Sequence, residues 1–369
     1  MPIADKSQGF AKAMDMLLLG GASVIAWLFF RFIELDKREI LILAFGMMFL
    51  ANFVNHPHFM HSYQMFFEIW PVIKQEKGSA KYKIRWLVTA IFIPSLLAVL
   101  LGFSVYLSMK GDFRLMQMCV GLYAVLVGWH YVKQSFGMAL FDAARSKVYW
   151  SAKSRKILLW NSYISWLAAL IIGAGVLAGG DFWGVKFPVL RLLHDGYWTA
   201  AAAIVATASA AWTLLAIWRQ IQLWRSSEIA ISDMPLAGII GYVVGIYLWT
   251  LLAWLDHKFI LVIPFFHSLQ YLAIVSKYQK GKNKINLGVS RLLPMDILTY
   301  AKAAILGFGL FWFIPGALDY LEGGKLNYLS GGVFVFTAAI WIFINIHHYF
   351  IDSVIWKKEN PLMGKYIFS

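Results

Sequence analysis

Seven of the nine histidines fall in four groups spread along the chain. The first is Asn55-His56-Pro57-His58-Phe59-Met60-His61, and the second is Trp129-His130-Tyr131. The third is Phe266-His267-Ser268, and the fourth is Asn345-Ile346-His347-His348-Tyr349. Each group sits inside a long apolar run. An ionisable side chain in hydrocarbon costs about a few kcal/mol at the bilayer centre. Several at one depth, on segments far apart in sequence, call for a shared purpose. Neutral imidazole is the commonest biological metal ligand, and imidazoles with few carboxylates and no thiolates suit iron, copper or zinc.

Helical spacing sharpens the set. His58 and His61 are i,i+3 and share a face, which Glu68 continues. Pro57 can bend the chain and re-aim His56. His130 and Gln134 are i,i+4, as are His267 and Tyr271, and His348 and Asp352. His347 points about 100° away from His348, toward a second ion or the surroundings of the first. The candidate ligands are therefore His56, His58, His61, His130, His267, His347, His348 and Asp352. Glu68, Gln134 and Tyr271 are candidate orienting groups or alternative ligands. A single intramembrane histidine serves equally well as an interhelical hydrogen-bonding group, so the argument rests on the ensemble. Lys133 is expected to snorkel to the membrane surface rather than meet an anionic substrate. His194 and His257 fall at the opposite interface, and Asp256 beside His257 is expected to be solvated.

These groups need elements that hold them at one level. The chain has 369 residues, 60% of them hydrophobic and 14% charged, with a mean hydropathy of +0.65. Apolar runs cover residues 14–33, 40–62, 86–109, 115–138, 157–178, 197–218, 236–255, 259–277, 297–314 and 331–353. Each is near the roughly 20 residues that span a bilayer as a helix, and backbone satisfaction in lipid favours helices for runs this uniform. The expected fold is an all-α, polytopic transmembrane bundle of about ten helices, one integral-membrane domain over residues 1–369. The first run is too long for an obvious removable signal peptide. With a cytoplasmic N-terminus, 22 Lys and Arg fall on the cytoplasmic side and nine on the other. That positive-inside bias puts both termini in the cytoplasm and the histidine groups in the middle or inner half of alternate helices. A bacterial inner membrane is the expected location. The net charge of +14 is read as contact with membrane lipids at the headgroups, not with nucleic acid. Trp150, Trp218, Trp224 and Trp356 are expected in interfacial belts. The lone cysteine, Cys119, excludes an intrachain disulfide and reads as a small packing residue.

At this level the four groups resemble the centres of integral-membrane histidine-box enzymes, the non-haem di-iron fatty-acid desaturases, hydroxylases and carotenoid oxygenases. The literal boxes H-x-x-x-H and H-x-x-H-H are absent. The chain has H-x-H-x-x-H at His56–His61 and H-H-x-x-x-D at His347–Asp352. The resemblance covers these four groups only. It implies a pair of iron ions, a lipid-soluble substrate reached from the cytoplasmic leaflet, an electron-donor protein, and oxygen-dependent attack on C–H or C=C bonds. Three alternatives stand beside it. Two facing histidines can ligate a haem in a haem- or quinol-binding redox protein. A metal or proton transporter would use the histidines as a path, but polar groups should then extend through the outer half as well. A zinc hydrolase needs three ligands and a water, fewer than this chain offers.

Overall fold

The computed structural model describes residues 3–75, 79–179, 196–322, 334–357 and 359–367. His194 lies outside them. Nine helices among the described residues are long and apolar enough to cross a membrane. In chain order, with one shorter helix, they are α1 (Gly9–Phe32), α2 (Lys37–Gln75), α3 (Ala80–Met109), α4 (Arg114–Arg145), α5 (Ala152–Ala174), α6 (Gly196–Ser226), the short α7 (Leu236–Leu248), α8 (Lys258–Leu287), α9 (Pro294–Leu321) and α10 (Val335–Ile355). The chain is a multi-pass helical membrane protein.

The tenth expected span, residues 236–255, is not a full crossing helix. α7 stops at Leu248, and the chain continues through a turn into a 3-10 segment, Leu252–Leu255. The last turn of α7, Val244–Leu248, is a π-turn pressed onto α4. A Cβ on Gly245 would lie 1.8 Å from Ser135 Oγ. Close approach through glycine is how apolar helices gain packing where lipid offers no hydrophobic drive.

Prolines explain two further irregularities. π-turns occupy Val88–Phe92 in α3 and Gly309–Phe313 in α9, and Pro94 and Pro315 follow each at the same offset. A proline ring clashes with the carbonyl four residues earlier, and a widened turn relieves that clash. α2 is broken by a turn at residues 52–54. Pro57 falls in the first turn of the segment Asn55–Gln75, where its missing N–H costs nothing. The bend thus precedes the histidine motif instead of lying within it.

Contacts divide the described residues into two compact units, one within Met1–Phe49, Gly128–Gly175 and Val189–Ala273, the other within Leu50–Val127, Val176–Pro188 and Ile274–Ser369. In the first unit, Val132, Ala139, Trp150, Leu158, Tyr242 and Ile246 form one core. Trp150 and Trp224 are buried and donate to Ala139 O and Tyr149 O, so they do not belong to an interfacial belt. Asp256 is buried too: it accepts from Lys258 N at 3.2 Å, while Lys258 Nζ donates to Phe30 O and Ile33 O. It caps a helix and is not solvated. Lys133 lies among aromatic rings. Its Nζ stands over the rings of Trp129, Phe136 and Tyr163 at 5.5–5.8 Å, where cation–π attraction holds a charge in apolar surroundings.

In the second unit, Leu97, Leu101, Met116, Cys119, Ala338 and Ile342 form one core, and Phe59, Met60, Ala303, Phe311 and Ile344 another. Cys119 is the small packing residue its sequence context implies. α9 approaches α2 through Gly307, whose missing Cβ leaves room for His56.

Candidate metal centre

The second unit brings together two histidines and a carboxylate. His58 comes from α2, and His348 and Asp352 come from successive turns of α10. Both histidines are fully buried, and the Asp352 side chain is 11% exposed. One ligand atom from each of the three lies within 4.8 Å of the others. The His58 and His348 rings meet edge to face at 4.5 Å. His348 Nε2 stands 3.3 Å from Asp352 Oδ2, slightly beyond the usual N–H···O range of about 2.7–3.2 Å. Two donors held about 2.1 Å from one ion lie about 3.0 Å apart in cis octahedral geometry and about 3.4 Å apart in tetrahedral geometry. The His348–Asp352 spacing falls inside that interval. Phe59 covers the group, with its ring 4.8 Å from both imidazoles.

His347 serves a different purpose. Its Nε2 lies 2.9 Å from Thr89 O, and its Nδ1 lies 2.9 Å from Tyr63 Oη. A carbonyl only accepts, so Nε2 carries the proton and Tyr63 donates to Nδ1. Both ring nitrogens are occupied, which leaves none for an ion. The Thr89 carbonyl lies in the π-turn that Pro94 forces. The pair joins residues 284 positions apart and fixes α10 against α2 and α3 beside the two-histidine, one-carboxylate set.

The remaining histidines of α2 turn elsewhere. His56 Nδ1 lies 3.2 Å from Asn52 Oδ1, and its ring stacks on Phe311 at 4.3 Å. His61 meets Tyr300 at 5.7 Å and has Gln64 as a hydrogen-bonding neighbour. Glu68 accepts from Lys282 Nζ at 2.6 Å. A face shared at i,i+3 therefore does not carry His61 or Glu68 to His58. The segment's packing against both α9 and α10 divides its histidines between two neighbours.

The first unit holds a second pair. His130 Nε2 and His267 Nε2 lie 3.2 Å apart, and both residues are buried. This spacing also falls between the octahedral and tetrahedral values given above. Tyr131 packs on His267 at 4.4 Å. Gln134 Nε2 donates to His267 O at 3.1 Å and to Gln270 Oε1 at 2.8 Å, and Gln270 Nε2 donates to Leu19 O at 2.6 Å. Gln134 is thus a support for the helix that carries His267. Tyr271, one turn later, is fully buried.

Sequence reasoning missed Tyr63 and Thr89 as partners. Tyr63 stands two residues past the α2 motif, and a buried tyrosine hydroxyl needs a partner. Thr89 could be suspected only from Pro94. No protein-family model, curated protein or solved structure matches this chain.

Proposed function

We propose that the protein is a membrane metalloenzyme, a non-haem iron oxygenase, hydroxylase or desaturase, acting on a lipid-soluble substrate. The observation that carries this reading is the buried set His58, His348 and Asp352. Two histidines and one carboxylate are the ligand set of non-haem iron(II) oxygenases, which leave further positions open. Iron held there would supply oxygen activation and oxidation of C–H or C=C bonds.

The chain's own groups have separate tasks in this reading. His58 and His348 would offer imidazole nitrogens, the usual donors to such an ion. Asp352 supplies one negative charge, and its partial exposure makes ion entry feasible. Phe59 excludes water from the imidazoles. Tyr63 and His347 hold α10 in register, so that His348 keeps its orientation. The basic loops assigned to the cytoplasm would offer a face to an electron-donor protein.

The spacing in the first unit disfavours a haem held between His130 and His267. Axial nitrogens on opposite faces of one iron stand about 4 Å apart, twice the roughly 2.0 Å ligand reach. The observed separation is 3.2 Å. A cis arrangement on one ion, or a simple hydrogen bond, fits that distance better.

Elemental analysis and visible spectroscopy of purified protein test the proposal. Stoichiometric iron without a haem band is expected. His58→Ala, His348→Ala and Asp352→Asn should each reduce bound iron at least tenfold while the protein stays monodisperse. Folded protein that takes up no iron under anaerobic loading would refute the reading. So would variants that retain the full complement.

A further inference from the structure

A groove in the first unit lies between α5 and α6. Its larger part has a volume of about 530 Å³ and runs past Trp160, Ile164, Ile204 and Trp212. That volume is within the roughly 300–1,000 Å³ of small-molecule sites. A second hollow of about 140 Å³ shares Ile157 and Trp212 with it. The floor is sealed by a polar knot: Ser209 Oγ donates to Asn161 Oδ1, and Asn161 Nδ2 donates to Tyr242 Oη. The walls are apolar, and Trp160 and Trp212 are 64% and 55% exposed.

One end of the groove is cationic. Lys156 lines the larger part, and Lys153 and Arg219 line the smaller. No Asp or Glu lines either. None of the three cations has an ion pair among the described residues. Lys153 and Lys156 are i,i+3 on one helix face. The helix ends are pinned together there, since Ser154 Oγ donates to Gln220 Oε1 at 2.9 Å. From Lys153 to Ile164 the groove follows the helix for about 16 Å, at about 1.5 Å per residue. That is half of a hydrocarbon core about 30 Å thick, the depth of one leaflet.

We propose that this groove binds one acidic phospholipid, its headgroup phosphate against Lys153, Lys156 and Arg219 and one acyl chain between Trp160 and Trp212. Charge complementarity selects the acidic headgroup, and the leaflet-length apolar wall selects the chain. The proposal is independent of the metal centre.

Native mass spectrometry of the full-length protein in neutral detergent tests it. The protein is offered phosphatidylglycerol and phosphatidylcholine with identical chains in equal amounts. Each cation near a lipid headgroup is worth about a fivefold gain, so a preference for phosphatidylglycerol between about tenfold and hundredfold is expected. Replacing Lys153, Lys156 and Arg219 together by Gln should erase the preference. These are exposed side chains, so the fold should survive their loss. Ala208→Trp, on the groove wall, should expel both lipids. Glycerol phosphate without acyl chains should not compete. Equal retention of the two lipids, a preference that survives the triple substitution, full competition by glycerol phosphate, or a groove filled by a second copy of the chain would overturn the proposal.

Discussion

Gly307 offers a sharp test of how packing sets the site. It lies where α9 meets α2. A Cβ at this position would stand 2.6 Å from His56 Cβ, 3.0 Å from the His56 carbonyl carbon and 3.1 Å from its oxygen. Carbon atoms rest about 3.5–4.0 Å apart, so Gly307→Ala must separate the two helices by about 1 Å. Two of the three contacts are backbone atoms, and no change of rotamer relieves them. Overpacking of this kind costs about 1–3 kcal/mol. At about 2–4 °C per kcal/mol for a unit of this size, the apparent melting temperature should fall by about 2–12 °C. His58 follows His56 by two residues on the same helix, so the shift also moves it relative to His348. Bound iron should fall at least tenfold, near the low end of what losing an outer supporting contact costs a metal site. Gly309→Ala is the control. A Cβ there meets nothing within 4 Å, and alanine favours a helix by about 0.5–1 kcal/mol over glycine. Thermal unfolding in detergent and elemental analysis read both effects. Wild-type stability and iron in Gly307→Ala would refute the packing argument, as would equal losses in both variants.

Two further outcomes follow from the same geometry and from the charge pattern. Tyr63→Phe removes the donor to His347 Nδ1 and leaves a buried acceptor unmet, so stability should fall by about 1–3 kcal/mol. Bound iron should fall, because the pair keeps His348 in place, but by less than in the His348→Ala variant, because His347 is not a ligand in the proposed set; a complete loss of iron would show otherwise. A reporter fused after Ser369 should be active in the cytoplasm, given the excess of Lys and Arg assigned there, which requires α7 and the segment Leu252–Leu255 together to carry the chain across the membrane. A C-terminus on the other side would remove the argument for substrate access from the inner leaflet.

Much of the fold was legible because lipid imposes a strong code. Nine of the ten expected runs correspond to helices of crossing length, since apolar length alone decides that property. The exception, residues 236–255, fails for a reason hydropathy does not carry. Gly245 packs onto Ser135 and the helix widens into a π-turn, which depends on a neighbour far away in sequence. Asp256 was misread for a related reason: it is a charged residue that found a partner, the helix end it caps.

The site shows where the code ends. Helical period fixes which residues of one helix share a face, so His348 and Asp352 were readable as a pair four residues apart. Apolar runs with an assumed orientation gave only an expected common level for the histidines of alternate helices. Neither fixes the direction in which a helix turns its face around the bundle. In a soluble protein the contrast between an apolar stripe and a polar one supplies that direction. In a membrane the lipid-facing and the core-facing surfaces are both apolar, and the contrast is lost. His58 and His61 therefore looked equivalent in sequence, while packing sends one to His348 and the other to Tyr300. His347 looked equivalent to His348 until the Thr89 carbonyl, freed by a proline-driven π-turn, took its second nitrogen. What marks His347 as a strut is the partner of each of its ring nitrogens, and only the tertiary contacts of α2, α3 and α10 show it.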